Sequence, residues 1–296
     1  MRYISALSVV LLVNSPATAQ TAQPSATQPT AAQAAAAKPA QPGKPALHIL
    51  GVPLGGTVAD IEQMSRAQGF QGYSRENYCD SGRLCRYRVS IENIPGTDFI
   101  FTMWGQKKTA DHSLAISFAF TAPPNAHRIW SAGTDQRFGD ERNPGASAPM
   151  WADVQAELNQ RFGKASYVRP LNGGTQALHM RWVWDTNGRL LSWTKPMFNN
   201  CGPAIARASV EPGIGVLANS NVAPLQPQAF LWARQGGCAR AAEVEMYQTR
   251  GVVYYLKVRV MDFQMGHDSQ YYTTRMLNEH RAKENRARTV NNKPNF

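Results

Sequence analysis

Apolar residues first recur at helical spacing after Thr57, where Val58, Ile61 and Met64 share one face. Thr57 stands three residues before Asp60, the spacing of a capping box, and Gly69 supplies the stop. The period then changes. Segments 84–91, 98–104 and 114–120 are apolar runs, the last two rich in aromatic and β-branched residues with partial alternation, which predicts successive strands of a sheet. A second helix is predicted behind Pro149, through Trp151, Val154 or Gln155, Leu158 and Phe162 to Gly163. Ala59-Asp60-Ile61 and Ala152-Asp153-Val154 occupy matching places in the two helices.

The second stretch continues as the first does. Segments 178–184 and 189–193, joined by Asp185-Thr186-Asn187-Gly188, predict a hairpin. Further strands are expected over 205–210, 242–247 and 252–262, the last two joined by Thr249-Arg250-Gly251. Residues 211–237 carry Pro and Gly without periodicity and read as a long loop, either a structural insertion or a binding loop. A closing helix is predicted over 265–288, docked through Tyr272, Met276 and Leu277. The expected fold is therefore α+β. Two tandem units, 47–145 and 146–264, each run from a helix into antiparallel strands, and a basic C-terminal helix and tail follow over 265–296.

The N-terminus belongs to neither unit. Met1-Arg2-Tyr3, an apolar run over 4–13 and Ala17-Thr18-Ala19 form the three parts of a secretory signal, 1–19, cleaved after Ala19. The run is far short of the roughly 20 residues that cross a bilayer. Residues 20–46 are mostly Ala, Gln, Pro, Thr and Ser, a composition that cannot offset the entropy of ordering and reads as a disordered tether. No later segment is apolar enough to span a membrane, so a periplasmic or secreted protein is expected.

Export changes the reading of the cysteines. Cys79, Cys85, Cys201 and Cys238 are an even set with no C-x-x-C spacing, which points to disulfides rather than a redox or zinc site. Four cysteines allow three connectivities, of which Cys79–Cys85 with Cys201–Cys238 is preferred. The formal charge is +11, one unit of which leaves with Arg2. Such a balance favours acidic protein faces or anionic surfaces, and export directs it away from nucleic acid. Arg281, Lys283, Arg286 and Arg288 concentrate it on the closing helix and are the candidate partner-binding residues.

The stretch Gly51-Val52-Pro53-Leu54-Gly55-Gly56-Thr57-Val58-Ala59-Asp60-Ile61, with Phe162-Gly163-Lys164-Ala165 ending the second helix, resembles the repeat of the β-lactamase-inhibitor-protein-like and small outer-membrane-assembly lipoprotein superfamily. The resemblance implies helices on one face of an antiparallel sheet and a protein-binding role for the other. It carries over no catalytic residue.

Motifs of catalysis are thin. Ser192-Trp193-Thr194-Lys195 matches S-x-x-K without its S-D-N and K-T-G partners and is read as a strand end. His48, His112, His127, His179, His267 and His280 include no helical i, i+4 pair and no H-E-x-x-H. Asp111-His112 and His267-Asp268 are adjacent in sequence, which points side chains apart in a strand. Asp185-Thr186-Asn187-Gly188 lacks the remainder of a calcium loop, and no Gly-rich phosphate loop is present. No cofactor or metal is expected. The expectation is a non-enzymatic envelope binding protein with a protein partner. The alternatives are attachment to an anionic surface or polymer, and an enzyme whose site forms only on folding.

Overall fold

A computed structural model describes residues 45–75, 79–90, 97–171, 177–208 and 227–291. The expected signal peptide, nearly all of the tether, residues 209–210 and residues 211–226 of the expected long loop lie outside the described residues. Strands β1 (His48–Ile49) and β2 (Val52–Pro53) pair as a short hairpin leading into α1 (Val58–Ala67). The capping box forms as the sequence predicts: the Asp60 carboxylate accepts from the Thr57 backbone N–H at 2.6 Å and from its hydroxyl at 2.9 Å.

The chain then builds β3 (Leu84–Val89), β4 (Phe99–Lys108), β5 (Ser113–Phe120) and β6 (Ile129–Arg137) before α2 (Trp151–Phe162). It continues as β7 (Tyr167–Pro170), β8 (Ala177–Trp184), α3 (Lys195–Ala208), α4 (Pro227–Gln235), β9 (Arg240–Thr249), β10 (Val252–Asp262) and α5 (Phe263–Asn291). Strands β3 to β10 form one antiparallel sheet of order β3-β4-β5-β6-β10-β9-β8-β7. Each half of the sheet is a meander, and the halves meet where β6 pairs with β10.

Strand alternation separates the two faces. On one face Leu114, Ile116, Phe118, Met180, Trp182, Val244 and Met246 pack against Ile61 and Met64 of α1 and Val154, Leu158 and Phe162 of α2. Fully burying such a side chain contributes about 1.5–3 kcal/mol, so this layer is the main source of stability. On the other face Ala119, Val183, Ala241 and Met261, all at one end of their strands, meet Met197, Ala204 and Ile205 of α3, Phe230 of α4 and Phe263 of α5. Gly266 of α5 lies directly on the Phe230 ring. A third cluster seats Met276 and Leu277 of α5 on Phe99 and Phe101.

Several expectations are corrected. Helices α3, α4 and part of α5 occupy one end of the face that the family resemblance leaves bare. The strand expected over 205–210 is instead the end of α3 as far as Ala208, with the remainder outside the described residues. Pro196 fits that helix's first turn, and Pro203, which reads as a breaker, lies inside it. The hairpin arm over 189–193 reduces to one bridge, Trp184↔Leu190, although the turn forms with Asp185 Oδ1 accepting from the Asn187 and Arg189 backbone N–H groups. Ser192 through Thr194 lead into α3 rather than ending a strand. Tyr272 is 45% exposed, and buried Ser269 and Thr273 dock α5 beside Met276 and Leu277. Thr273 donates to the Pro123 carbonyl at 2.6 Å. Strands β6 and β7 were not expected.

Both predicted disulfides form, Cys79–Cys85 with Cα atoms 5.6 Å apart and Cys201–Cys238 with Cα atoms 6.1 Å apart. The second ties the middle of α3 to the turn after α4. Among the described residues no helix is long and apolar enough to cross a membrane.

Candidate functional site

The helices on the second face stop at the strand ends, and pairing register defines what lies beyond them. Three rows of side chains cross the sheet there. The row nearest the helices reads Trp104, Ser117, Gly133, Arg259, Glu243, Arg181 and Tyr167 from β4 to β7. The next reads Gln106, Ala115, Asp135, Lys257, Glu245, His179 and Arg169, and the outermost begins Lys108, Ser113, Arg137, Tyr255 and Tyr247.

Glu243 is the hub of the inner rows and is buried. Its Oε1 accepts from His179 Nε2 at 2.7 Å and from Arg181 Nε at 2.9 Å, while Oε2 faces Arg259 at 3.4 Å. Burial by itself would raise the Glu243 carboxyl. The His179 hydrogen bond and the Arg181 charge prevail and hold it at about 2, so Glu243 is ionised at all physiological pH. With the carboxylate ionised, the shared proton resides on His179 Nε2. The Arg181 guanidinium also lies near the rings of Tyr167 and Trp193, at 6.0 and 5.7 Å. Gly133 leaves room for the Arg259 stem, since a Cβ there would stand 3.3 Å from both Arg259 Cγ and Ser117 Oγ.

His179, Glu243 and Glu245 each bring one potential metal ligand within 4.8 Å of the others. They do not fit a divalent cation well: both Glu243 oxygens already face guanidinium groups, and an added cation would lie beside Arg181 and Arg259. The arrangement suits an ion-pair lattice. Its chemical effect is to fix arginine side chains at defined places on a sheet face.

Beyond Glu243 the outer two rows open into a groove of about 810 Å³. Small Ser113 and Ala115 form its floor, and Gln106, Lys108, Asp135, Arg137 and Lys257 rise around it. The Asp135 carboxylate accepts from the Tyr255 hydroxyl at 2.9 Å, and Arg137 lies over the Tyr255 ring at 5.3 Å. Burial and then the Asp135 charge push the Tyr255 phenol up, so it remains a donor. His112 lies at the rim, where burial keeps its imidazole below the ordinary value and neutral at pH 7. Tyr247 extends the aromatic surface, its ring centroid 5.3 Å from that of Tyr255.

A second cavity of about 460 Å³ lies beside the start of α5. Two of its charges satisfy each other: the Asp262 carboxylate accepts from Arg240 Nε and from the Met265 backbone N–H, each at 2.8 Å, and so caps α5.

The sequence-predicted residues fall elsewhere. Arg281, Lys283, Arg286 and Arg288 are exposed on the last turns of α5, past the Met276–Leu277 dock, and line neither cavity. His267 and Asp268 approach to 3.5 Å at the surface, and Asp111 and His112 line the groove. Ser192 and Lys195 are exposed. The Glu243 cluster was missed because Arg181 and His179 are 62 and 64 residues from Glu243 in sequence. The available signal was polar Glu243, Glu245 and Tyr247 alternating with Ala242, Val244 and Met246 in a strand. No protein family, curated protein or solved structure matches the chain.

Proposed function

We propose that the chain is an exported, non-enzymatic binding protein of the cell envelope that engages a protein partner through the open part of its sheet. The observation that carries this reading is the face itself, where α1 and α2 leave one side and a preset charge lattice stands beside tyrosines. Rigid strands hold these groups before a partner arrives, which lowers the ordering entropy of binding. Tyrosine and arginine are also the side chains that concentrate binding energy at protein interfaces. The two disulfides suit an oxidising compartment, in keeping with the signal expected over 1–19.

Photo-crosslinking in cells that export the protein tests this. A photoreactive residue at Tyr247 should capture one dominant protein, while one at Gln160, exposed on α2, should not. Equal capture at both sites, or none at Tyr247, would count against the reading.

A second reading has one specific support, the exposed cations that end α5. In that case the chain attaches electrostatically to an anionic surface through Arg281, Lys283, Arg286 and Arg288. Binding to anionic vesicles should fall steeply with salt and disappear on truncation after Leu277. Salt-independent binding would exclude it.

A further inference from the structure

We propose that the 810 Å³ groove receives an acidic, mixed-charge peptide segment of the partner, with Lys108 and Arg137 holding one of its carboxylates. This rests on the reading that the open face binds protein. Lys108 and Arg137 both pair with Ser113, one on each side, so their Cα atoms lie two strand spacings apart, about 10 Å. Both are exposed, and neither has a carboxylate partner among the described residues. Arg137 is steadied over the Tyr255 ring rather than by an anion. Ser113 and Ala115 between them are too small to fill the space that the long flanking side chains enclose. Two cations facing each other across a low floor fit a carboxylate entering from above.

The next row selects among anionic ligands. Asp135, Lys257 and Glu245 alternate in sign on adjacent strands. A chain that carries an anion at every unit would bring some of them against Asp135 and Glu245. A peptide can place one carboxylate between Lys108 and Arg137 and offer hydrogen-bond donors or cations to the two acids. Tyr247 and Tyr255 supply an edge for its apolar side chains. A planar lipid surface would not enter a groove floored by Ser113 and Ala115.

The test uses the full chain and a displayed library of short random peptides, followed by affinity measurement on one selected peptide. Selected sequences should be enriched in Asp or Glu while retaining donors or cations. Lys108→Ala and Arg137→Ala should each weaken that peptide about fivefold, and the double variant about 20-fold, at unchanged thermal stability. Arg137→Glu should bind again when the peptide's critical acid is replaced by Lys. Selected peptides without acid enrichment, or equal affinity for the double variant, would overturn the proposal. So would tighter binding of oligogalacturonate or phosphatidylglycerol vesicles lost in the same double variant, which would give the groove to a polymer or lipid. If the peptide results fail while the Tyr247 adduct persists in the double variant, the peptide proposal falls and the protein-binding reading stands.

Discussion

Replacing Glu243 with Ala removes a buried carboxylate that faces His179, Arg181 and Arg259. The side chains left behind are mostly buried, with Arg181 at 12% and Arg259 at 9% exposure. Breaking a buried ion pair from one side costs about 3–5 kcal/mol, because the remaining charge loses its compensation without regaining water. For a body of this size each kcal/mol shifts the melting temperature by about 2–4 °C, so a loss on the order of 10 °C is expected. Glu243→Gln preserves the volume and one acceptor and should recover part of that loss. The same carboxylate gives the pH dependence its sign. Its folded value is about 2 against an ordinary 4.5, so its contribution is fully present above 4.5 and is lost as pH falls through 2. Urea denaturation of parent and Glu243→Gln proteins at a series of pH values is the assay, and the stability gap between them should narrow across that window. A Glu243→Ala protein within about 0.5 kcal/mol of the parent, or a gap that widens on acidification, would refute the reasoning.

Three further outcomes follow from other contacts. Asp262→Ala should cost about 1–3 kcal/mol, by losing both the α5 cap and the Arg240 pair, and should loosen the start of α5 in hydrogen exchange while the β9–β10 hairpin stays protected. Gly266→Ala should cost about 1–3 kcal/mol in denaturant unfolding, because its methyl group would enter the Phe230 ring. Reducing the disulfides should destabilise mainly through Cys201–Cys238. Its sequence separation of 37 implies about 4 kcal/mol of loop-closure entropy, against about 2 kcal/mol for the separation of 6 at Cys79–Cys85, to be measured with Cys→Ala pairs.

Legibility followed the strength of local signals. The α1 cap was readable because Thr57 and Asp60 are three residues apart, and β9 and β10 were readable because each alternates around a two-residue turn at Arg250 and Gly251. Strand β6 hid because Ser131, Gly133 and Asp135 leave one face small or polar, and Thr134 and Gln136 blur the other. Gly133 is small because the Arg259 side chain lies beside it, a fact of β10 pairing that the local sequence does not carry. Helix α3 hid because Gly202 and Pro203 read as punctuation, whereas burial of Met197, Cys201, Ala204 and Ile205 outweighs their low propensity. The site was the least legible part. Glu243 and His179 are neighbours only through the β8–β9 register, so no spacing rule could bring them together.

The seam between β6 and β10 also bears on self-association. Antiparallel neighbours are related by a local two-fold axis, and here the final strand of each meander meets the final strand of the other. Two copies of a single meander would adopt the same relation in an isologous dimer. A fragment ending after β6 would bare the edge that in the whole chain is covered by β10 over the seven residues 131–137. Covalent continuity thus gives one polypeptide the closure that a half-length chain would have to find in a second copy of itself.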